Sequence, residues 1–197
     1  MTVIASTASR AHAASLGVLA GAAAAVLGVL AGVAQRGGAE ESVGWAAVAV
    51  FTVGGVWLAV IDARTRRLPN AITLPLSGLL VLVLAGAAVT TAQWGQLLQA
   101  VLCGAGLAAV LMLVAMTGTL AFGDVKLALS IGLLTGWFAW TLPLTAVVVA
   151  YLLAVPHAIA LLVRKKRASA EDGPTYMPMG PYLVAGALLA ALTTLLT

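Results

Sequence analysis

The chain has 197 residues, of which 62% are hydrophobic and 8% are Asp, Glu, Lys or Arg, and its mean hydropathy is +1.11. Soluble domains carry about 25% charged and 45–50% apolar residues, so this composition excludes a soluble globular domain, a disordered chain and a nucleic-acid-binding module. A single cysteine, Cys103, excludes a disulfide framework and a multi-cysteine metal site. What remains is an all-α polytopic membrane bundle, one integral membrane domain over 1–197 with a short N-terminal tail at 1–13.

Charge is so scarce that the gaps between charged residues measure the spans. Residues 11–35, 42–61, 68–123, 127–163 and 173–197 contain no Asp, Glu, Lys or Arg. A helical crossing takes about 20 apolar residues. The first gap predicts one helix near 14–34, read as a retained anchor because its apolar run exceeds the roughly 7–15 residues of a signal-peptide core. The second predicts a helix near 43–61. The third holds two, near 72–89 and 96–117, divided by the polar run from Thr90 to Gln96. The fourth holds two more, near 125–139 and 142–163, because Trp137, Trp140 and Pro143 mark an aromatic interfacial belt followed by a helix start. The last helix is expected at 181–197. The total is seven transmembrane helices, with six the alternative if 125–163 forms one crossing.

Sidedness separates these counts. With the N-terminus in the cytoplasm, seven spans put Arg10, Arg64, Arg66, Arg67, Lys126 and the run Arg164–Arg167 inside, leaving only Arg36 outside. Nine of the ten basic residues then share one face, as the positive-inside bias requires. Fusing 125–163 would send Arg164–Arg167 outside. The reading is a multi-pass protein of the cell membrane with a cytoplasmic loop at 164–180.

Of six acidic residues, Glu40, Glu41, Glu171 and Asp172 fall in polar loops, whereas Asp62 and Asp124 each abut a span. The topology puts both at the cytoplasmic level. Two carboxyl groups brought within a few ångström share a proton, and such a pair can run peptide hydrolysis: one activates water, the other donates to the scissile carbonyl and then to the leaving amine. Helix dipoles place the proton on Asp62, at a helix C-terminus, and the charge on Asp124, at a helix N-terminus.

The local sequences carry a resemblance. Ile61-Asp62-Ala63-Arg64-Thr65-Arg66-Arg67-Leu68-Pro69-Asn70 resembles the first motif of the type IV prepilin peptidases, an Asp followed by a basic loop and Leu/Ile-Pro-Asp/Asn. Ala121-Phe122-Gly123-Asp124-Val125-Lys126-Leu127 is similar to their second motif, Gly-x-Gly-Asp followed by x-Lys. Pro178-Met179-Gly180-Pro181-Tyr182-Leu183 is similar to the Pro-Phe-Gly-Pro-Phe segment opening their last helix.

The resemblance implies a membrane aspartic endopeptidase whose substrates are prepilin-like proteins, cut after a glycine that precedes their apolar helix. It makes Asp62 and Asp124 the catalytic pair. Gly123 reads as a tight turn before Asp124 or a plain helix breaker, and Lys126 as a support for developing charge or a lysine snorkelling to the interface. Pro69 and Asn70, like Gly180 and Pro181, read as helix starts, and His157 sits inside a span away from the cytoplasmic end. Ala121 departs from the motif's first glycine. The chain has no Cys-x-x-Cys, so it resembles the short, peptidase-only members serving Flp/Tad-type pili or archaeal flagellin-like substrates, and no N-methyltransferase activity is implied. No metal or organic cofactor is implied, and nothing in the sequence fixes an oligomeric state. Two other readings are a presenilin-like intramembrane protease, disfavoured because Asp62 is expected to end its helix at a basic loop, and a proton-relay or transporter subunit, disfavoured because no acidic residue lies mid-span.

Overall fold

The computed structural model of the chain describes residues 39–65, 70–118, 120–167 and 179–196. Among these residues the fold is all-helical: α1 Ala39–Thr65, α2 Asn70–Thr91, α3 Trp94–Met116, α4 Phe122–Phe138, α5 Leu142–Arg167 and α6 Gly180–Leu196. Four stretches are long and apolar enough to cross a membrane: Gly44–Thr65, Ile72–Thr91, Trp94–Met116 and Leu142–Ala160. These lie in α1, α2, α3 and α5, so the protein is a membrane protein. The helix expected at 14–34 lies outside the described residues.

Two boundaries differ from expectation in the same way. α1 continues past 61 to Thr65, and α5 past 163 to Arg167. Charged residues end an apolar gap but do not break a helix, because Arg and Lys are good helix formers and suit a helix C-terminus. The run Arg164–Arg167 accordingly closes α5 instead of opening a loop. The region 125–163 forms two helices, not one. Ala139 leaves the helix with extended backbone at φ −160°, ψ 151°, and α5 restarts at Leu142 with Pro143 in its first turn, where a missing N–H removes no helical bond.

α4 is the axis of the bundle. It touches each of the other five described helices, and it is buried almost all round: Val125, Leu127, Ala128, Ile131, Leu133, Leu134 and Trp137 are all in the core, with Ser130 and Thr135 beside them. At 17 residues it spans only about 25 Å. Protein surrounds it instead of lipid, so its length is set by its neighbours.

The tightest seam joins α4 to α3. A Cβ on Gly132 would lie 2.6 Å from the Gly104 Cα and 2.7 Å from the Cys103 carbonyl oxygen, so only glycine permits the two backbones to meet. The Gln99 Nε2 donates to the Gly136 carbonyl at 2.7 Å one turn further along. Against α2 the contact is polar: Ser77 and Ser130 hydroxyls lie 2.7 Å apart, and Ser77 donates to the Thr73 carbonyl at 3.1 Å. Ser130 is then the donor to Ser77, and no buried hydroxyl of this pair is left unpaired.

Gly132→Val should separate α3 from α4, because backbone atoms cannot yield to the added carbons. The expected loss is about 2 kcal/mol or more, read as thermal unfolding in detergent. Gly106→Ala, with open space beside it, should leave the melting temperature unchanged or slightly raised.

Candidate active site

Asp62 lies in the last turn of α1 and is 6% exposed. Its Oδ2 accepts the backbone N–H of Gly180 at 2.9 Å. Gly180 is the first residue of α6, where the opening N–H groups have no carbonyl within their own helix to bond. The turn is set by Met179, whose carbonyl accepts the N–H groups of Tyr182 at 3.1 Å and Leu183 at 3.0 Å. That leaves the Gly180 N–H for the carboxylate. A Cβ at this position would lie 2.8 Å from Asp62 Oδ2 and 3.1 Å from its Cβ and Cγ. Glycine is required here by the close approach of the side chain of Asp62.

Asp124 comes from the opposite kind of helix end. It is in the first turn of α4, its N–H donates to the Ala121 carbonyl at 3.0 Å, and it too is 6% exposed. Its carboxylate lies within electrostatic reach of Asp62. The end of α1, the start of α4 and the start of α6 therefore converge, and the two sequence-predicted aspartates form one buried acidic site. Among the described residues no third His, Cys, Asp or Glu joins them in a cluster that could hold a metal ion.

Gly123 is the second residue of α4 and half-buried, within the helix and not in a turn before it. Ala121, just outside the helix, is exposed with φ −76° and ψ 139°. Any residue adopts that backbone conformation, so nothing at 121 requires the glycine of the motif. Lys126 is half-buried and takes part in an interaction within the protein. Arg64 is exposed, and Asn70 begins α2 as expected. Arg66, Arg67 and Pro69 lie outside the described residues. Asp62 is three residues inside the end of α1, which corrects the expectation that it ends its helix.

Sequence reasoning passed over two contributors. Gly180 and Pro181, within the segment that resembles the family's last-helix motif, were read as a helix start and not as a contact of Asp62. His157, expected away from this end of the bundle, is hydrogen-bonded through Nδ1 to the hydroxyl of Tyr182, with the rings edge-on at 61° and their centroids 5.9 Å apart. Tyr182 is two residues from Gly180, so this hydrogen bond ties α5 to the first turn of α6, the turn that carries the Gly180 amide. His157 lies within the apolar stretch Leu142–Ala160, as expected, and meets the first turn of α6 there. The signal available in sequence was the pair Gly180-Pro181 itself.

The family model of the type IV leader peptidases matches residues 49–159, more than half of the chain, and the matched stretch includes both Asp62 and Asp124. The chain belongs to the type IV leader peptidase family. No curated protein and no solved structure matches it. Membership of the leader peptidase family makes the protein a peptidase. The matched region ends before α6, so the place of Gly180 and Tyr182 at the site rests on the hydrogen bond to Asp62 and on the motif resemblance of 178–183, not on the family match.

In this leader peptidase Ala121→Gly should change stability by less than about 0.5 kcal/mol, because the position is exposed and its dihedrals are ordinary. Thermal unfolding of the purified variant checks this, and a shift of several degrees would mean that Ala121 packs against more than the helix start.

Proposed function

We propose that this leader peptidase is an aspartic endopeptidase that removes the short basic leader from type IV prepilin-like proteins at the cytoplasmic boundary of the cell membrane. The observation that carries the reading is the convergence of Asp62 and Asp124, two buried carboxyl groups from separate helices, in a bundle with so little other charge. Seven spans with a cytoplasmic N-terminus put this site where a prepilin, its apolar helix still in lipid, presents the start of that helix.

Hydrolysis needs one carboxylate and one carboxylic acid. The Gly180 N–H supports negative charge on Asp62, because a backbone donor at 2.9 Å favours the ionised form of its acceptor. Asp62 also faces the positive end of the α6 dipole, and on that ground the proposal reverses the assignment expected from the dipoles of α1 and α4. In the proposed mechanism, Asp62 takes a proton from water, the resulting hydroxide attacks the scissile carbonyl carbon, and the Asp124 proton passes to the carbonyl oxygen. The diol then collapses: the C–N bond breaks, the amine nitrogen receives the proton held by Asp62, and a diol hydroxyl returns its proton to Asp124. Both carboxyl groups end in their starting states. Catalysis of this kind gains its rate from holding acid, base and substrate in one geometry away from bulk water.

The exposed Arg64, with Arg66 and Arg67 after it in sequence, would repel a basic leader, so leader recognition is not assigned to them. Proteolysis without methyl transfer is the proposed activity.

Co-expression with a candidate prepilin tests the reading by the electrophoretic shift from precursor to mature pilin. Wild type should process it, and Asp62→Asn and Asp124→Asn should each slow processing by at least about a thousandfold, leaving only precursor visible. Full processing by either single variant would exclude the two-aspartate mechanism.

A further inference from the structure

α6 is tied to α5 at two levels. Near its middle, Gly186 packs directly on the backbone of α5: a Cβ there would lie 2.8 Å from the Ala150 nitrogen. At its first turn the tie is polar, the hydrogen bond between Tyr182 and His157. Apolar packing on α1 and α4 also holds α6, but such contacts are non-directional, whereas the hydrogen bond in the first turn fixes the rotation of the helix at the end nearest Asp62. The Gly180 N–H sits at that end and must meet Asp62 Oδ2 at 2.9 Å. The same end has no room for a side chain, since a Cβ at 180 would collide with the carboxylate itself and with no other part of the protein as closely.

We propose that Gly180 is a positioning residue for Asp62, and that the His157–Tyr182 hydrogen bond is the clasp that holds the Gly180 amide in place. The inference rests on the aspartic-peptidase reading for its kinetic consequence, but the contact itself does not depend on it. Gly180 supplies a donor without a Cβ, so the carboxylate is fixed by backbone. Tyr182, two residues along the same turn, transmits the anchorage of α5 to that donor. Neither His157 nor Tyr182 is required to touch the substrate.

The test uses the purified full-length chain in detergent, with two readouts. The first is kcat and KM for a prepilin substrate. The second is the infrared carboxyl band of Asp62 in protein labelled with 13C at the aspartate carboxyls; the chain has only three aspartates, and the Asp62 band is the one lost in Asp62→Asn. Gly180→Ala should shift that band and lower kcat by about 10- to 100-fold with KM nearly constant, the loss typical of a reacting group displaced by about 1 Å. Tyr182→Phe and His157→Leu should shift the same band and lower kcat by a smaller factor. His157→Asn, which keeps a polar atom near the Nδ1 position, should recover most of the loss. Gly186→Ala is the packing control: it should lower the melting temperature and leave the Asp62 band in place.

An unshifted band in Gly180→Ala, or a shift equally large in Gly186→Ala, would overturn the proposal. Wild-type bands and rates in both Tyr182→Phe and His157→Leu would overturn the clasp. Should Gly180→Ala fail to fold, the Tyr182→Phe spectrum decides. A wild-type chain that cleaves no prepilin would count against the function proposed above, while the band shifts would still decide the role of Gly180.

Discussion

A carboxylate taken out of water must be given a hydrogen-bond donor or a positive field in return, and in an apolar bundle few are to be had. Burying an ionised group without such compensation costs several kcal/mol. Here the compensation for Asp62 is backbone: the unpaired N–H at the start of α6, aimed at Oδ2 across a gap too narrow for any side chain but glycine. The arrangement of α1, α4 and α6 at this end of the molecule follows from that requirement. α1 must extend far enough to deliver Asp62, α6 must begin where its first amide meets it, and α4 must start beside both so that Asp124 joins the pair.

The rest of the fold keeps these three ends in register. α4 is enclosed by the other described helices, and its seam with α3 is closed by glycine against backbone at Gly132. Its contact with α2 is fixed by the paired hydroxyls of Ser77 and Ser130. In a membrane, where apolar burial gives helices little reason to choose one another over lipid, close backbone approach and buried hydroxyl pairs carry the specificity of association. A rigid central helix is a sound base for an acidic residue in its first turn. The clasp between His157 and Tyr182 extends the same logic to α6.

Much of this was legible in the sequence because charge is rare in it. Gaps between charged residues located the helices, Pro143 marked the break between α4 and α5, and setting aside four acidic residues expected in polar loops left Asp62 and Asp124 as the pair to consider, although Glu40 and Glu41 prove to lie in the first turn of α1. The errors have physical causes. A charged residue ends an apolar gap but not a helix, which is why Asp62 lies within α1 and Arg164–Arg167 within α5. Ala121 replaces a motif glycine at a position whose extended backbone makes no demand for one. Gly180 was missed as a site residue because a glycine that starts a helix and a glycine that accommodates a distant carboxylate look alike in one dimension. The bond from His157 to Tyr182 was not legible because depth along one helix says nothing of where its neighbour begins.

The central claim is that Asp62 and Asp124 act as one unit, each useless without the other. Processing rates of purified wild type, Asp62→Asn, Asp124→Asn and the double variant, measured on one prepilin under single-turnover conditions, test this most directly. Groups that act as a unit lose the whole step when either is removed, so the double variant should be no slower than the worse single variant. A double variant slower by the product of the two single losses would contradict the account, since it would show two independent contributions and no shared site.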